Sequence, residues 1–150
     1  MTDLDPCIFC SIVAGQAEAS LVYADETVLA FMDIAPVVPG HILVIPRAHA
    51  PNLGDLDEDL GARVWRVAHR VAKALRHCGL RVDGVNLWLA DGRAAFQEVF
   101  HVHLHVIPRF VGDGFSVDAQ YQPRDRAQLD ADAVLVGQAL ANLNGARPLH

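Results

Sequence analysis

Three histidines alternate with aliphatic residues in the run His101-Val102-His103-Leu104-His105-Val106-Ile107. Alternation with a period of two is typical of a β-strand, whose successive side chains point to opposite faces. The pattern therefore predicts three imidazoles on one face, spaced by roughly 6.5–7 Å along the strand. Imidazole is the side chain whose charge changes nearest to neutral pH, so this row predicts a site of chemistry.

The histidine row alone leaves two chemical interpretations open. Neighbouring strand histidines could form a catalytic three-histidine metal site. Alternatively, one imidazole could act as a nucleophile while its neighbours bind an anion. The segment 91–98, which enters the row as a loop, favours the nucleophile, because such a loop can present backbone N–H groups to an oxyanion.

A second candidate site is the Cys7-x-x-Cys10 pair near the N-terminus. With only three cysteines in the chain, a disulfide framework is not expected. In a reducing cytoplasm, which is the location we expect, this spacing indicates metal binding or redox chemistry. Two cysteines are half of a zinc site, so a redox or purely structural role stays open at this point.

Length and composition predict one globular domain with a sizeable core. The chain has 150 residues, of which 52% are hydrophobic and 20% are charged. A net charge of −6 argues against nucleic-acid binding, which needs a basic face. Neither a signal peptide nor an apolar run of the roughly 18 residues that span a membrane is expected.

The elements that must position these residues alternate between short apolar runs and amphipathic stretches. Predicted strands cover 21–24, 28–32, 41–45, 84–89 and the histidine row, with a short helix at 7–14 and helices at about 57–78 and 130–142. Apolar residues at spacings of three and four place Cys78 in the core stripe of the long helix. Short turns between neighbouring strands predict an α+β fold: an antiparallel sheet of about five strands with helices on one face.

The run His101-Val102-His103-Leu104-His105-Val106-Ile107-Pro108-Arg109 resembles the signature of the histidine triad (HIT) superfamily of nucleotide hydrolases and transferases. Four further segments are similar to that family: Cys7-Ile8-Phe9-Cys10, Leu29-Ala30-Phe31-Met32-Asp33-Ile34, Pro39-Gly40-His41-Ile42-Leu43-Val44-Ile45-Pro46 and Gln97-Glu98-Val99-Phe100. The resemblance extends from about Cys7 to Phe115. It implies a single HIT-like domain over 1–150, with a C-terminal extension from about 116.

The resemblance implies a role for each matching residue. His103 matches the nucleophile, which attacks the α-phosphorus and forms a nucleotidyl-histidine intermediate that water then hydrolyses. His105 matches a phosphate ligand, and His41 matches a supporting histidine beside the nucleophile. The matching substrate-binding residues are Asp33 at the ribose, Ile34 at the base, and Gln97 and Glu98 at the phosphate and leaving group.

The same resemblance implies partners for the cysteine pair. In zinc-bearing bacterial members two histidines complete the site, and here they correspond to His49 and His101. Cys7, Cys10, His49 and His101 would then hold one structural Zn²⁺ per chain. His101 would be a metal ligand and His103 the catalyst.

Two positions depart from the family pattern. Ala90 replaces an asparagine near the end of the preceding strand, and Phe96 replaces a glycine before Gln97. Glycine tolerates unusual backbone angles, so a phenylalanine there must turn away from the pocket or fill part of it.

The resemblance implies a homodimeric hydrolase that releases a purine nucleoside monophosphate from a nucleoside phosphoramidate or a nucleotidyl ester or anhydride. The two departures favour an alternative, a nucleotide-binding protein with little catalytic activity. A dinucleoside polyphosphate hydrolase is a further alternative. Arg93 and Arg109 could supply positive charge near the phosphate, or could be solvated.

Overall fold

A computed structural model describes residues 6–143, which form two compact units that meet in sequence after Phe115. The first unit contains α1 (Ile8–Val13), β1 (Leu21–Ala24), β2 (Val28–Met32), β3 (Ile42–Pro46), α2 (Glu58–Leu75), β4 (Gly84–Leu89) and β5 (Leu104–Arg109). The second unit contains α3 (Arg126–Asn142). None of the helices in the described part of the chain is long and apolar enough to cross a membrane.

The five strands of the first unit form one antiparallel sheet in the order β1-β2-β3-β5-β4. This confirms the predicted α+β fold with five strands. The hairpin between β1 and β2 is closed by Asp25, whose carboxylate accepts hydrogen bonds from the backbone N–H groups of Thr27 and Val28. Together with a hydrogen bond from the Tyr23 hydroxyl, these bonds lower the pKa of Asp25 to about 2. Strand β4 lies at one edge of the sheet and β1 at the other.

Helix α2 covers one face of the sheet. Its buried residues recur at spacings of three and four, and alternate residues of β2, β3 and β5 meet them. Asp57 caps the helix by accepting a hydrogen bond from the Leu60 N–H at 2.9 Å. The resulting core consists of Val28, Ala30, Ile42, Val44, Val64, Val67, Ala68, Val71, Leu75, Leu104 and Val106.

Helix α1 packs on the opposite face, so the prediction that the helices share one face is wrong for this element. Phe9 of α1 is buried with the other alternate residues of β2 and β3, Leu29, Phe31, Leu43 and Ile45. Because His103 and His105 alternate with Leu104 and Val106 along β5 and its approach, the imidazoles lie on this α1 face.

Several boundaries differ from the predicted ones. Strand β5 begins only at Leu104, because Val102 donates its N–H to the carbonyl of Ala50, outside the sheet. Helix α2 ends at Leu75, so Cys78 lies beyond it with an exposed thiol rather than in the core. Helix α3 begins four residues before the predicted start, where Asp125 caps it through the Gln128 N–H.

Candidate active site and metal centre

A cleft of about 970 Å³ opens on the α1 face of the sheet. Both apolar side chains and polar groups with which a ligand could interact line this cleft. The lining includes five of the predicted site residues, Asp33, Ile34, Glu98, His103 and His105, together with Phe96, Glu18, Ser20 and side chains of α1 and β2.

His103 is buried at the cleft, with 6% of its surface exposed. Its Nδ1 lies 2.7 Å from the carbonyl oxygen of His101, and only an N–H can serve as donor to that oxygen. Nδ1 therefore holds the proton of the neutral ring and Nε2 keeps a free lone pair. Burial lowers the pKa of His103, which favours this neutral form. The ring packs edge-on against Phe9, with centroids 5.2 Å apart.

His41 and His105 form a hydrogen-bonded pair beside His103. The Val37 N–H donates to His41 Nδ1 at 3.2 Å, so the proton of the neutral His41 ring lies on Nε2. That N–H donates to His105 Nδ1 at 2.9 Å, which leaves the proton of His105 on its own Nε2. Burial, with the nearby His103 and His41, lowers the pKa of His105 to about 4. A neutral His105 is thus a hydrogen-bond donor at the cleft.

Asp33 follows directly after β2 and places its carboxylate at the cleft. One oxygen accepts the Ala35 N–H at 2.9 Å, and the other lies 3.5 Å from His41 Nε2. The next residue, Ile34, is fully exposed at the rim. The pair therefore offers a hydrogen-bond acceptor beside an apolar side chain.

Gln97 has a different environment from the one that the resemblance implies. Its side chain is buried, its Oε1 accepts the Gly92 N–H at 2.7 Å, and its amide donates to the carbonyls of Pro51 and Val99. These three bonds hold the loop that leads into the histidine row. Glu98, the next residue, is exposed and lines the cleft.

Phe96 has a left-handed backbone, with φ 68° and ψ 27°, and is the only non-glycine residue with positive φ in the described part of the chain. It ends a short 3₁₀ turn at Arg93–Ala95, where the Gln97 N–H returns to the Gly92 carbonyl at 3.1 Å. Glycine is the usual residue at such a turn end. Phe96 as a residue is 79% exposed and lines the cleft.

Cys7, Cys10, His49 and His101 lie together as a separate cluster, with their ligand atoms within 4.8 Å of one another. His101 Nδ1 is 3.5 Å from Cys7 Sγ, 3.6 Å from Cys10 Sγ and 3.3 Å from His49 Nδ1, and Cys10 Sγ is 3.3 Å from His49 Nδ1. Tetrahedral Zn–S and Zn–N bonds imply about 3.5 Å between S and N ligands and about 3.3 Å between N ligands. The donor set fits zinc in both chemistry and spacing.

The free ring nitrogen of His101 also suits a metal ligand. Its Nε2 lies 2.8 Å from the carbonyl oxygen of Pro46, to which it donates, so Nδ1 faces the two cysteines without a proton. Metal-ligating histidines commonly donate their second N–H to such a carbonyl. The structure therefore separates His101 from His103 and His105, which argues against a single three-histidine metal site.

Three other residues that the sequence analysis singled out, Arg93, Arg109 and Ala90, are not among those that line the cleft. The Arg93 guanidinium lies over the Phe100 ring at 5.0 Å. The Arg109 guanidinium binds Asp113, whose pKa it lowers strongly. Ala90, which replaces the family's asparagine, is buried.

Sequence reasoning did not identify the contribution of Phe9. Its ring contacts both His101 and His103, and it lies between the two cysteines of the C-x-x-C pair. That position inside a metal-binding motif was the available signal, because a residue flanked by two ligands is held close to the centre that they form.

Comparisons with known proteins agree with the fold and with the placement of the histidines. A family model described as HIT domain matches residues 14–112. A HIT-like protein of Mycobacterium tuberculosis is 40% identical over 141 residues, which cover 94% of this chain and 97% of the relative.

Two solved structures are similar to this one. A zinc-bound histidine triad family protein from Mycobacterium smegmatis is 43% identical, with a TM-score of 0.71, covering 84% of this chain and 96% of that chain. A histidine triad nucleotide-binding protein from Candida albicans is 27% identical, with a TM-score of 0.83, covering 93% of this chain and all of that chain. The family match, the shared fold and the triad geometry together show that this chain belongs to the HIT family.

Proposed function

We propose that the protein is a hydrolase or nucleotidyl transferase that acts at the α-phosphate of a nucleoside phosphoramidate or a nucleotidyl ester or anhydride. One observation supports this above the others: His103 is held as a neutral imidazole whose Nε2 lone pair is free at the cleft. A neutral imidazole nitrogen is a good nucleophile near neutral pH and a good leaving group afterwards.

The reaction would proceed in two displacements. In the first, the Nε2 lone pair of His103 forms a bond to the α-phosphorus, and the bond between phosphorus and the leaving nitrogen or oxygen breaks. The leaving group departs with that electron pair and takes up a proton. In the second, water attacks the same phosphorus, the P–N bond to His103 breaks, and a nucleoside monophosphate and a proton are released. A transferase would use another acceptor in place of water.

Neighbouring groups would position the phosphate and nucleoside. The Nε2–H of His105, fixed by the His41 pair, would donate to a phosphate oxygen whose charge grows during the displacement. The Asp33 carboxylate would accept hydrogen bonds from the ribose hydroxyls, and Ile34 would pack against a purine base. Gln97 would act as a positioning residue through the loop that it holds.

The direct test compares His103→Ala with His69→Ala, which removes an exposed histidine of α2. With an adenosine 5′-phosphoramidate, we expect the first variant to lose at least about 10³-fold in kcat/KM, as expected for a missing nucleophile. We expect the control to match wild type. Turnover of His103→Ala near the wild-type rate would exclude His103 as the nucleophile.

A second candidate function is a nucleotide-binding protein with little catalytic activity. The strained Phe96 favours it, because a phenylalanine at a position where the family carries glycine lines the cleft. Purified protein that binds AMP but turns over no phosphoramidate, adenylyl sulfate or dinucleoside polyphosphate would establish this alternative.

We further propose one structural Zn²⁺ per chain at Cys7, Cys10, His49 and His101. The spacing of the four ligand atoms and the zinc-bound relative from M. smegmatis support this site. When bound, the ion would supply a cross-link between α1 and the start of the histidine row, without contact to the phosphate.

A homodimer is proposed from the family resemblance and from the free edge of the sheet. Beside β4, an apolar groove of about 410 Å³ is lined by Val64 and the half-exposed Trp65 of α2 and by Leu87 and Leu89. A second copy pairing at β4 would cover this groove and the edge. A cytoplasmic location and the absence of nucleic-acid partners stay predictions.

A further inference from the structure

The His103 imidazole is held by one hydrogen bond and by the rings packed against it. The bond from its Nδ1–H to the His101 carbonyl, at 2.7 Å, constrains one ring atom. The terminal torsion of a histidine side chain has a broad energy well, so the direction of Nε2 depends on packing as well. Two rings pack against the imidazole, with centroids 5.2 Å away for Phe9 and 4.9 Å away for His105. Of these two, Phe9 has no polar side-chain group with which to bind a phosphate.

Phe9 is itself fixed from two directions. It is 7% exposed, and its ring packs edge-on against Phe31 with centroids 5.5 Å apart. In the sequence it lies between Cys7 and Cys10, whose Sγ atoms are 3.5 Å and 3.6 Å from His101 Nδ1. The phenyl ring is therefore held by the core on one side and by the cysteine–histidine cluster through its own backbone.

These contacts form a closed chain around the nucleophile. The two cysteines contact the ring of His101, the His101 carbonyl accepts the hydrogen bond of His103, and the His103 ring packs on Phe9, which lies between the two cysteines. Helix α1, which carries Phe9, has only six residues and is too short to be stable alone. The position of the phenyl ring thus depends on the same cluster that anchors His101.

We propose that Phe9 is a positioning residue for His103, whose flat ring keeps the free Nε2 of the imidazole in one orientation. The proposal rests on the proposed function and deepens it, because a nucleophile must point at the phosphorus before a bond can form. It assigns to the residue between the two cysteines a role in the reaction that it performs without touching substrate phosphate.

The first test compares Phe9→Leu with Leu29→Val. Each variant shortens a buried apolar side chain of the same cluster, and Leu29 is not among the residues that line the cleft. With an adenosine 5′-phosphoramidate, we expect Phe9→Leu to lower kcat at least about tenfold, because a small displacement of a reacting atom is costly. Its inhibition constant for AMP should stay within about twofold of wild type, because the groups that bind the nucleotide are unchanged.

Leu29→Val should keep both the wild-type kcat and the wild-type affinity for AMP. All three proteins are compared at equal bound zinc, measured by elemental analysis, so that loss of metal cannot account for a difference in rate.

The second test observes the imidazole without any turnover. In ¹⁵N-edited NMR spectra, the Nδ1 proton of His103 should exchange with solvent more slowly in wild type and Leu29→Val than in Phe9→Leu. A ring that is no longer confined breaks its hydrogen bond to the His101 carbonyl more often.

The outcomes separate this proposal from the proposed function. Phe9→Leu with the kcat of wild type, an equal loss of kcat in Leu29→Val, or unchanged proton exchange at His103 would each overturn the positioning role. Wild-type protein that turns over no nucleotidyl substrate would instead contradict the proposed function, and proton exchange at His103 would still decide whether Phe9 confines its ring.

Discussion

At the scale of single residues, the three histidines differ in the hydrogen-bond partners of their rings. His101 donates from Nε2 to Pro46, and His103 donates from Nδ1 to His101. His105 accepts at Nδ1 from His41. The first ring thus has Nδ1 free for a metal, the second has Nε2 free for phosphorus, and the third has an N–H to donate. One side-chain type offers three chemistries because its tautomer is set by its partner.

The left-handed backbone at Phe96 predicts an unusual effect on stability. A non-glycine residue in this region costs about 1–2 kcal/mol, and the exposed ring contributes little burial in return. We expect Phe96→Gly to raise the free energy of unfolding by about 1 kcal/mol in urea titrations. Phe96→Ala keeps the Cβ atom and should give no comparable gain. Destabilisation by Phe96→Gly would mean that the ring packs against something that stabilises the fold.

The lowered pKa of His105 predicts a pH dependence of stability. Its pKa is about 4 in the folded protein and about 6.5 when unfolded. Between these values the unfolded chain binds the extra proton, so stability falls as pH drops from about 6.5 towards 4. Relative to His105→Gln, wild type should lose up to about 1.4 kcal/mol more per pH unit in that window. Parallel stability curves for the two proteins would contradict the assignment.

At the scale of elements, local sequence predicted most of what the structure contains. The strands 21–24, 28–32 and 84–89 coincide with β1, β2 and β4, because alternation and turn residues act over short distances. Three features depended on distant contacts and were not predictable. They are the face on which α1 packs, the strand order, and the late start of β5 opposite Ala50. The same holds for the candidate site. Its residue types were evident from the sequence, whereas the histidine tautomers and the hydrogen bonds of Gln97 depend on distant contacts and were not.

We expect the stability of helix α1 to depend on the proposed metal, because of where the helix lies. This helix has only six residues and is too short to be stable alone. We expect Cys7→Ser to reduce bound zinc from one per chain to near zero by elemental analysis. Stability should fall by about 4 kcal/mol if free zinc exceeds its Kd a thousandfold.

Two matched variants control for this result. Cys78→Ser changes an exposed thiol outside the cluster and should keep both zinc and stability. His105→Ala should also keep its zinc, because His105 is not among the four ligands. Loss of zinc in His105→Ala with retention in Cys7→Ser would instead indicate a metal in the cleft.

At the scale of the whole molecule, the sheet has two edges with different surroundings. Both edges expose apolar side chains, Trp65 beside β4 and Leu21 and Val22 on β1, but the apolar groove borders β4. An unpaired edge next to exposed apolar surface is typical of an interface. If the protein forms the proposed homodimer, the groove favours an interface at β4 over one at β1.

An interface at β4 predicts that a carboxylate introduced there disrupts the dimer, whereas one introduced at β1 does not. Trp65→Glu should convert a dimer to a monomer in sedimentation equilibrium, because it would bury a carboxylate in the interface. Val22→Glu, on β1, places the same charge at the other edge and should leave the dimer intact. Wild-type protein that is monomeric at high concentration, or a dimer lost only in Val22→Glu, would contradict the β4 interface.

The most direct test of the central claim is the capture of the intermediate on His103. Wild type is mixed with an adenosine 5′-phosphoramidate, quenched within one turnover and examined by intact mass and peptide mapping. A nucleotidyl group bonded to the peptide that contains His103, and absent from His103→Ala, is the predicted result. An adduct on another residue would contradict His103 as the nucleophile. So would turnover without any adduct, if that turnover persists in His103→Ala.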